Sequence, residues 1–188
     1  MKNSNRREFI RKMGLFSSLC LTGGPKVYSD MYFFENPQGI ILREEEGEVW
    51  YIGNERKAEV TIKVAKSAGY TPELSLLTEK IPPGDGIPVH KHLNEEEFIC
   101  IQKGRVEITL GNTTQEGKSG DLIYVPRTTW HGFKNIDQEE VSILFGYSPA
   151  GVEDYFRAIG TKQVDQDLGF TAEDWMLTNQ KFGVVYKH

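Results

Sequence analysis

From Glu48 to Tyr147 the chain is a succession of short strand-forming segments cut at close intervals by turn residues, with no helical periodicity among them. The segments are EVWYI (48–52), EVTIKVA (59–65), PELSLLTEKI (72–81), EEFICIQ (96–102), RVEITL (105–110), DLIYVP (121–126), WHGFKN (130–135) and VSILFGY (141–147). They are rich in the β-branched and aromatic residues that suit a pleated, half-buried surface. Pro82-Pro83-Gly84, Lys103-Gly104, Gly111-Asn112, Gly117 to Gly120 and Asn135-Ile136-Asp137 punctuate them as turns. Many evenly spaced strands of this kind predict an all-β sandwich or barrel. A chain of 188 residues has room for one such core and not for a second full domain.

After Pro149 the pattern changes. Val152, Tyr155, Phe156 and Ile159 fall at helical spacing, which predicts a short amphipathic helix ending near Gly160. A second helix is expected to start at Thr171, with Asp174 three residues on as its capping partner, and to stop before Gly183. Both read as covers for the barrel, with Trp175 and Phe182 on apolar faces, and nothing beyond Thr161 has a catalytic signature.

Within the strands, His90 and His92 are two residues apart, a spacing that sends both imidazoles to one face. Glu97 shares a face with Ile99 and Ile101, so its carboxylate should point inward beside them, where a buried charge needs a partner. His131 follows the turn at Arg127 to Thr129, with Phe133 on the same face. Of four histidines in the chain, three belong to this set and the fourth is the terminal His188. Three imidazoles and a carboxylate suit one divalent transition metal, iron, manganese, nickel, copper, cobalt or zinc, rather than calcium or magnesium. Glu95 and Glu96 are expected to be solvated, and Trp130 to pack on the opposite face. Ile99, Ile101, Val106, Ile108 and Phe133 are expected in the core, and Cys100 as a small buried apolar residue.

Residues Gly84 to Gly104, GDGIPVHKHLNEEEFICIQKG, match G-x5-H-x-H-x4-E-x6-G at every fixed position. Residues Gly120 to Asn135, GDLIYVPRTTWHGFKN, fit G-x5-P-x-G-x2-H-x3-N except that Thr128 stands for the internal glycine. These are similar to the two cupin motifs, and between them only the Arg105 to Leu110 strand and the Gly111-Asn112 turn are expected. Trp50, Pro82-Pro83-Gly84 and YSPAGVEDYFRAIG (147–160) resemble the quercetin dioxygenase-like branch of single-domain cupins. The resemblance covers about residues 48 to 188. It implies a double-stranded β-helix, or jelly-roll barrel, with a core of about 48–148 and a helical extension over 149–188. It further implies that His90, His92, Glu97 and His131 are metal ligands and that Glu97 doubles as the base toward a substrate hydroxyl. The activity implied is that of a metal-dependent dioxygenase on a small hydroxylated or aromatic compound. A non-catalytic small-molecule binding or sensing module, or a lyase or isomerase acting on a sugar or organic acid, is the alternative on the same scaffold.

The net charge of -5 hides an asymmetry, because residues 1–24 hold five of the 22 Lys and Arg and one of the 27 Asp and Glu. The rest of the chain has 17 basic against 26 acidic residues, a surplus of nine negative charges that argues against a nucleic-acid partner. Asn5 to Lys12, NRREFIRK, followed by the apolar stretch from Met13 to Leu21, resembles a twin-arginine export signal. Residues 1–25 are therefore expected to be a leader to the periplasm, the alternative being a cytoplasmic protein, with 26–188 as one domain and no transmembrane span in the mature chain. Cys20 and Cys100 do not look like a disulfide pair. A homodimer is expected, since open barrel edges seek partners.

Overall fold

The computed structural model describes residues 39–52, 58–66, 73–164 and 166–187. The expected leader (1–25), Cys20 and His188 lie outside the described residues. The elements run β1 (Glu48–Ile52), β2 (Ala58–Val64), β3 (Ser75–Ile81), β4 (Gly86–His92), β5 (Glu96–Lys103), β6 (Arg105–Leu110) and β7 (Thr113–Lys118). They continue with β8 (Leu122–Val125), β9 (His131–Asn135), β10 (Val141–Ser148), α1 (Glu153–Ile159), β11 (Gly160–Thr161), α2 (Ala172–Phe182) and β12 (Val184–Tyr186). Two antiparallel sheets result, one in the order β11-β1-β2-β3-β10-β5-β8 and the other β12-β4-β9-β6-β7. This is the jelly-roll architecture that the strand pattern and the motifs predict.

Alternation decides which side chains face the interior. Along β3, Ser75, Leu77, Glu79 and Ile81 are buried while the residues between them are half-buried. The same rule puts Ile99 and Ile101 of β5, Ile143 and Phe145 of β10, Val106 and Ile108 of β6 and Phe133 of β9 into one core between the sheets. Both helices form where the spacing places them. Thr171 caps α2 with a reciprocal box to Asp174, and Gly183 closes it in the left-handed conformation, donating its N–H to Asn179 and Gln180 carbonyls. Trp175 and Phe182 pack half-buried against the core. Among the described residues no helix is long and apolar enough to cross a membrane.

Three local findings depart from the sequence pattern. Beyond the one strand and the Gly111-Asn112 turn expected between the motifs there is a further strand, β7, whose residues are exposed except for Gly117, so no apolar alternation marks it. A Cβ at Gly117 would lie 2.5 Å from Ile108 Cδ1 and 2.8 Å from Ile101 Cδ1, so glycine is what lets β7 approach the core. Cys100 is half-buried, not buried, because the outer face of β5 lies between Leu144 of β10 and Leu122 of β8, and Leu122 is itself exposed.

The third is Thr128, whose φ of 63° is left-handed. Its N–H donates to the His92 carbonyl at 2.7 Å, tying the turn before β9 to the end of β4. A β-branched residue is strained there, which explains why glycine is the motif's residue at this place. Replacing it, Thr128→Gly, is expected to stabilise the fold by about 1 kcal/mol, the relief of left-handed strain exceeding the added freedom of the unfolded chain. Urea unfolding of the two proteins checks this, and a lower midpoint for the glycine variant would contradict it.

Candidate metal centre

His90 and His92 occupy alternate positions at the end of β4, and both are buried. His131 opens β9, directly opposite His90 in register and, on its other side, opposite Leu110 of β6. Gly132, next in sequence, lets β4 and β9 come close, since a Cβ there would sit 2.9 Å from the Ile87 carbonyl oxygen and 3.0 Å from Val89 Cα. Glu97 comes from the other sheet, on β5, opposite Tyr147 of β10 and Val125 of β8. Three imidazoles from one sheet thus meet one carboxylate from the other, and one ligand atom from each lies within 4.8 Å of all the rest.

The hydrogen bonds show which lone pairs face the centre. A carbonyl oxygen only accepts, so the 2.9 Å contacts of His90 Nδ1 with Pro88 O and of His131 Nδ1 with Thr129 O put the proton on Nδ1 in both rings. Their Nε2 lone pairs are then free to face the cluster. His90 Nε2 is 3.2 Å from His92 Nε2, which lies 3.6 Å from Glu97 Oε2. Glu97 Oε2 is 2.7 Å from His131 Nε2, yet among the described residues neither atom has a partner in hydrogen-bond geometry. Buried acceptors converging in this way repel one another unless a proton or a cation stands among them. Three nitrogens and one oxygen fit a divalent transition metal, and the outer carbonyls of Pro88 and Thr129 hold two of the rings in the ligating tautomer.

The titration behaviour follows from the same geometry. Burial, reinforced by the neighbouring imidazoles, pushes His90 down to about 3. Burial likewise lowers His92 to about 4 against the pull of Glu97. Burial also works against a charged His131, but the Glu97 carboxylate beside it outweighs that and raises its pKa. For Glu97 burial would raise the pKa, and His131 with the other imidazoles brings it below the ordinary value instead. Tyr147 is held well above its ordinary range by burial and by the Glu97 carboxylate, so its phenol stays protonated.

The cluster opens into a cavity of about 570 Å³, its mouth included. Ile99, Ile143, Phe145 and Phe133 supply apolar walls, and Phe156 and Tyr155 of α1 and Tyr186 of β12 supply aromatic ones. Tyr186 stands opposite His90 in register with its ring centroid 5.6 Å away, and its hydroxyl is 3.2 Å from that of Tyr155. Tyr155 in turn donates to Asn179 Oδ1 at 2.8 Å. The tail beyond Thr161 therefore does contribute to the site, although a three-residue strand after a helix leaves no periodicity by which to find it. Glu79, also buried and lining the cavity, shares its parity with Leu77 and Ile81, a signal that could have marked it as inward-facing.

The surrounding residues divide. Glu96 lies on the outer face as expected, its carboxylate accepting from Tyr124 Oη at 2.9 Å. Trp130 packs away from the cluster under Lys91 Nζ, 4.6 Å from its ring centroid. Glu95 is not the solvated charge expected, because the turn between β4 and β5 half-buries it. Its Oε2 is enclosed without a hydrogen-bond partner among the described residues, and burial raises its pKa.

Stability of the metal-free protein should fall on acidification. Folded His90 and His92 refuse protons until about pH 3 and 4, whereas the unfolded histidines accept them near 6.5, so their contribution is present above 6.5 and lost as pH falls. His131 has the opposite sign, its contribution being full below 6.5 and lost as pH rises through its raised folded value. Two groups against one give a net loss on the order of 2 kcal/mol between pH 7 and pH 5. Chemical denaturation of chelator-treated protein at the two pH values measures it, and equal stability would contradict this balance.

Residues 77–147 match the family model described as Cupin domain. An uncharacterised protein of Methanocaldococcus jannaschii is 40% identical over 81 residues, 43% of this chain and 65% of that protein. Quercetin 2,3-dioxygenase of Bacillus subtilis is 31% identical over 94 residues, 50% of this chain and 27% of the dioxygenase. The chain thus spans less than two thirds of either relative. The solved structure of KdgF from Halomonas sp. superposes with a TM-score of 0.54 at 18% identity, covering 62% of this chain and 99% of that one, a likeness of fold. The family match runs from Leu77 in β3 to Tyr147 in β10, so the residues that match a cupin domain hold all four members of the cluster, and quercetin 2,3-dioxygenase is a distant relative.

Proposed function

We propose that His90, His92, Glu97 and His131 hold one divalent transition metal, and that the protein is a dioxygenase acting on a small hydroxylated or aromatic compound in the cavity above it. The observation that carries this reading is the placement of a four-ligand cluster on the wall of an apolar, aromatic-lined cavity. A bound metal of this class supplies Lewis-acid and one-electron chemistry toward an oxygen-containing substrate and dioxygen. The chain's own groups do the rest. Glu97, ionised because the imidazoles lower its pKa, can take the proton of a substrate hydroxyl. His131 Nε2 lies 2.7 Å from that carboxylate, and Tyr147, protonated and opposite Glu97 in register, remains a hydrogen-bond donor. Ile99, Phe133 and Phe145 exclude water around an aromatic ring.

The test is metal analysis by mass spectrometry on untagged protein from Pro25 onward, followed by oxygen uptake with flavonols and catechols. Near-stoichiometric iron, manganese, nickel, copper or cobalt is expected, with loss of both metal and oxygen uptake in the His90→Ala/His92→Ala variant. Turnover without oxygen consumption would replace the dioxygenase reading by a lyase or isomerase, and metal-dependent binding without turnover by a sensing module.

We further propose that the protein is exported to the periplasm, supported by the Arg6-Arg7 start, and that it is a homodimer. The edge strand β8 supports pairing, because it leaves Leu122 and Tyr124 68% and 56% exposed. Light scattering is expected to give twice the chain mass, reverting to the monomer in Leu122→Asp. A monomeric parent protein would contradict it.

A further inference from the structure

Two members of the cluster have a backbone anchor behind them. The carbonyls of Pro88 and Thr129 accept from His90 Nδ1 and His131 Nδ1. His92 Nδ1 is equally buried, yet among the described residues it has no hydrogen-bond partner, and neither has Glu97 Oε2. Groups that ligate a metal are ordinarily oriented by an outer partner, so His92 and Glu97 call for one of another kind.

Tyr147 lies against both. It is buried near the end of β10, directly opposite Glu97 in the pairing of β10 with β5, so the two side chains enter the interior side by side. Its hydroxyl is a hydrogen-bond partner of the Glu97 carboxylate, and because a carboxylate only accepts, the phenol is the donor. Glu79, in the same cavity, also acts on this phenol through its charge. On its other side the Tyr147 ring meets the His92 ring edge to face, with centroids 5.0 Å apart and planes at 69°. Phe145 of β10 and Phe156 of α1 pack on the same ring at 5.8 and 6.4 Å. A ring held among three aromatic neighbours has little room to turn, so it offers fixed surfaces to the cluster.

We infer that Tyr147 is the positioning residue for Glu97 and His92, serving them with its hydroxyl and its ring as the Pro88 and Thr129 carbonyls serve His90 and His131. The hydroxyl restrains the carboxylate so that Oε2 stays turned toward the imidazoles, 2.7 Å from His131 Nε2 and 3.6 Å from His92 Nε2. The ring restrains the one imidazole that lacks an anchor at Nδ1. This rests on the metal-binding reading above and extends it to a residue that supplies no ligand atom.

Cobalt(II) titration of the full-length, chelator-treated protein, in competition with a chelator of known affinity, tests the role. Tyr147→Phe keeps the ring and removes the hydroxyl. It is expected to bind cobalt about ten times more weakly and to shift the visible absorption bands, as Glu97 gains freedom to turn. Tyr147→Leu removes the ring as well and is expected to weaken binding about tenfold further. A change that only loosened the core would lower stability and leave the cobalt spectrum as it was. Parental affinity and spectrum in Tyr147→Phe would overturn the restraint on Glu97, and a leucine variant that binds as well as the phenylalanine one would overturn the restraint on His92. Proton NMR of the zinc-loaded parent protein needs no variant to fold. There the Tyr147 hydroxyl is expected to be protected from exchange and its ring to show contacts with His92, and a freely exchanging hydroxyl or a His92 ring without such contacts would overturn the corresponding restraint. Failure of the parent protein to bind cobalt would overturn the metal-centred reading and this inference with it, whereas tight binding that Tyr147 does not affect overturns the inference alone.

Discussion

Four ligand atoms crowded into a buried space set the terms for the surrounding structure. His90, His92 and His131 belong to one sheet and Glu97 to the other, so whatever cation or proton satisfies them also ties the sheets together. Their mutual repulsion without such a partner would be severe in a low-dielectric interior, and the backbone is arranged to present it rather than avoid it. The carbonyls of Pro88 and Thr129 fix two ring tautomers so that lone pairs converge, and Thr128 accepts a strained left-handed conformation in the turn that delivers His131. Strain and repulsion collected at one place, with a well-packed aliphatic core around them, are what a binding centre requires of its scaffold.

Much of this was legible in the sequence, for identifiable reasons. Period-two alternation is a direct consequence of strand geometry, so the inward direction of His90, His92, Glu97 and Phe133 followed from spacing alone. The caps of α2 were equally readable because Thr171, Asp174 and Gly183 satisfy helix ends by local chemistry. What was not legible depends on contacts distant in sequence. Strand β7 is exposed on nearly every residue and owes its place to pairing with β6, not to its own apolar pattern. Tyr186 reaches the site only because β12 folds back beside β4, and Cys100 and Glu95 took their burial from neighbours that spacing does not reveal.

The distribution of cavity-lining residues separates two tasks. The four-ligand cluster lies wholly inside residues 77–147, the part that matches the cupin domain. Much of the aromatic wall comes from outside it, as Tyr155 and Phe156 on α1 and Tyr186 on β12, with Ile52 and Val60 from the first two strands. A barrel can therefore keep its centre while the flanking segments are exchanged around it, which is how one fold comes to serve unrelated substrates.

Those flanking segments are held by polar contacts of their own. Arg157 of α1 donates from Nε and Nη2 to the Glu48 carboxylate of β1 at 2.9 and 2.6 Å, and buried Glu153 accepts from the backbone N–H groups of Lys66 and Gly151. The hydroxyls of Tyr155 and Tyr186 meet at 3.2 Å, and Asn179 of α2 joins them. The wall is thus a braced structure in which α1, α2 and β12 share one small hydrogen-bonded group at the cavity. A change in any of these residues would alter the shape of the space above the histidines without touching a ligand atom. The shape of the cavity is therefore governed largely by residues that lie outside the motifs by which a cupin domain is identified.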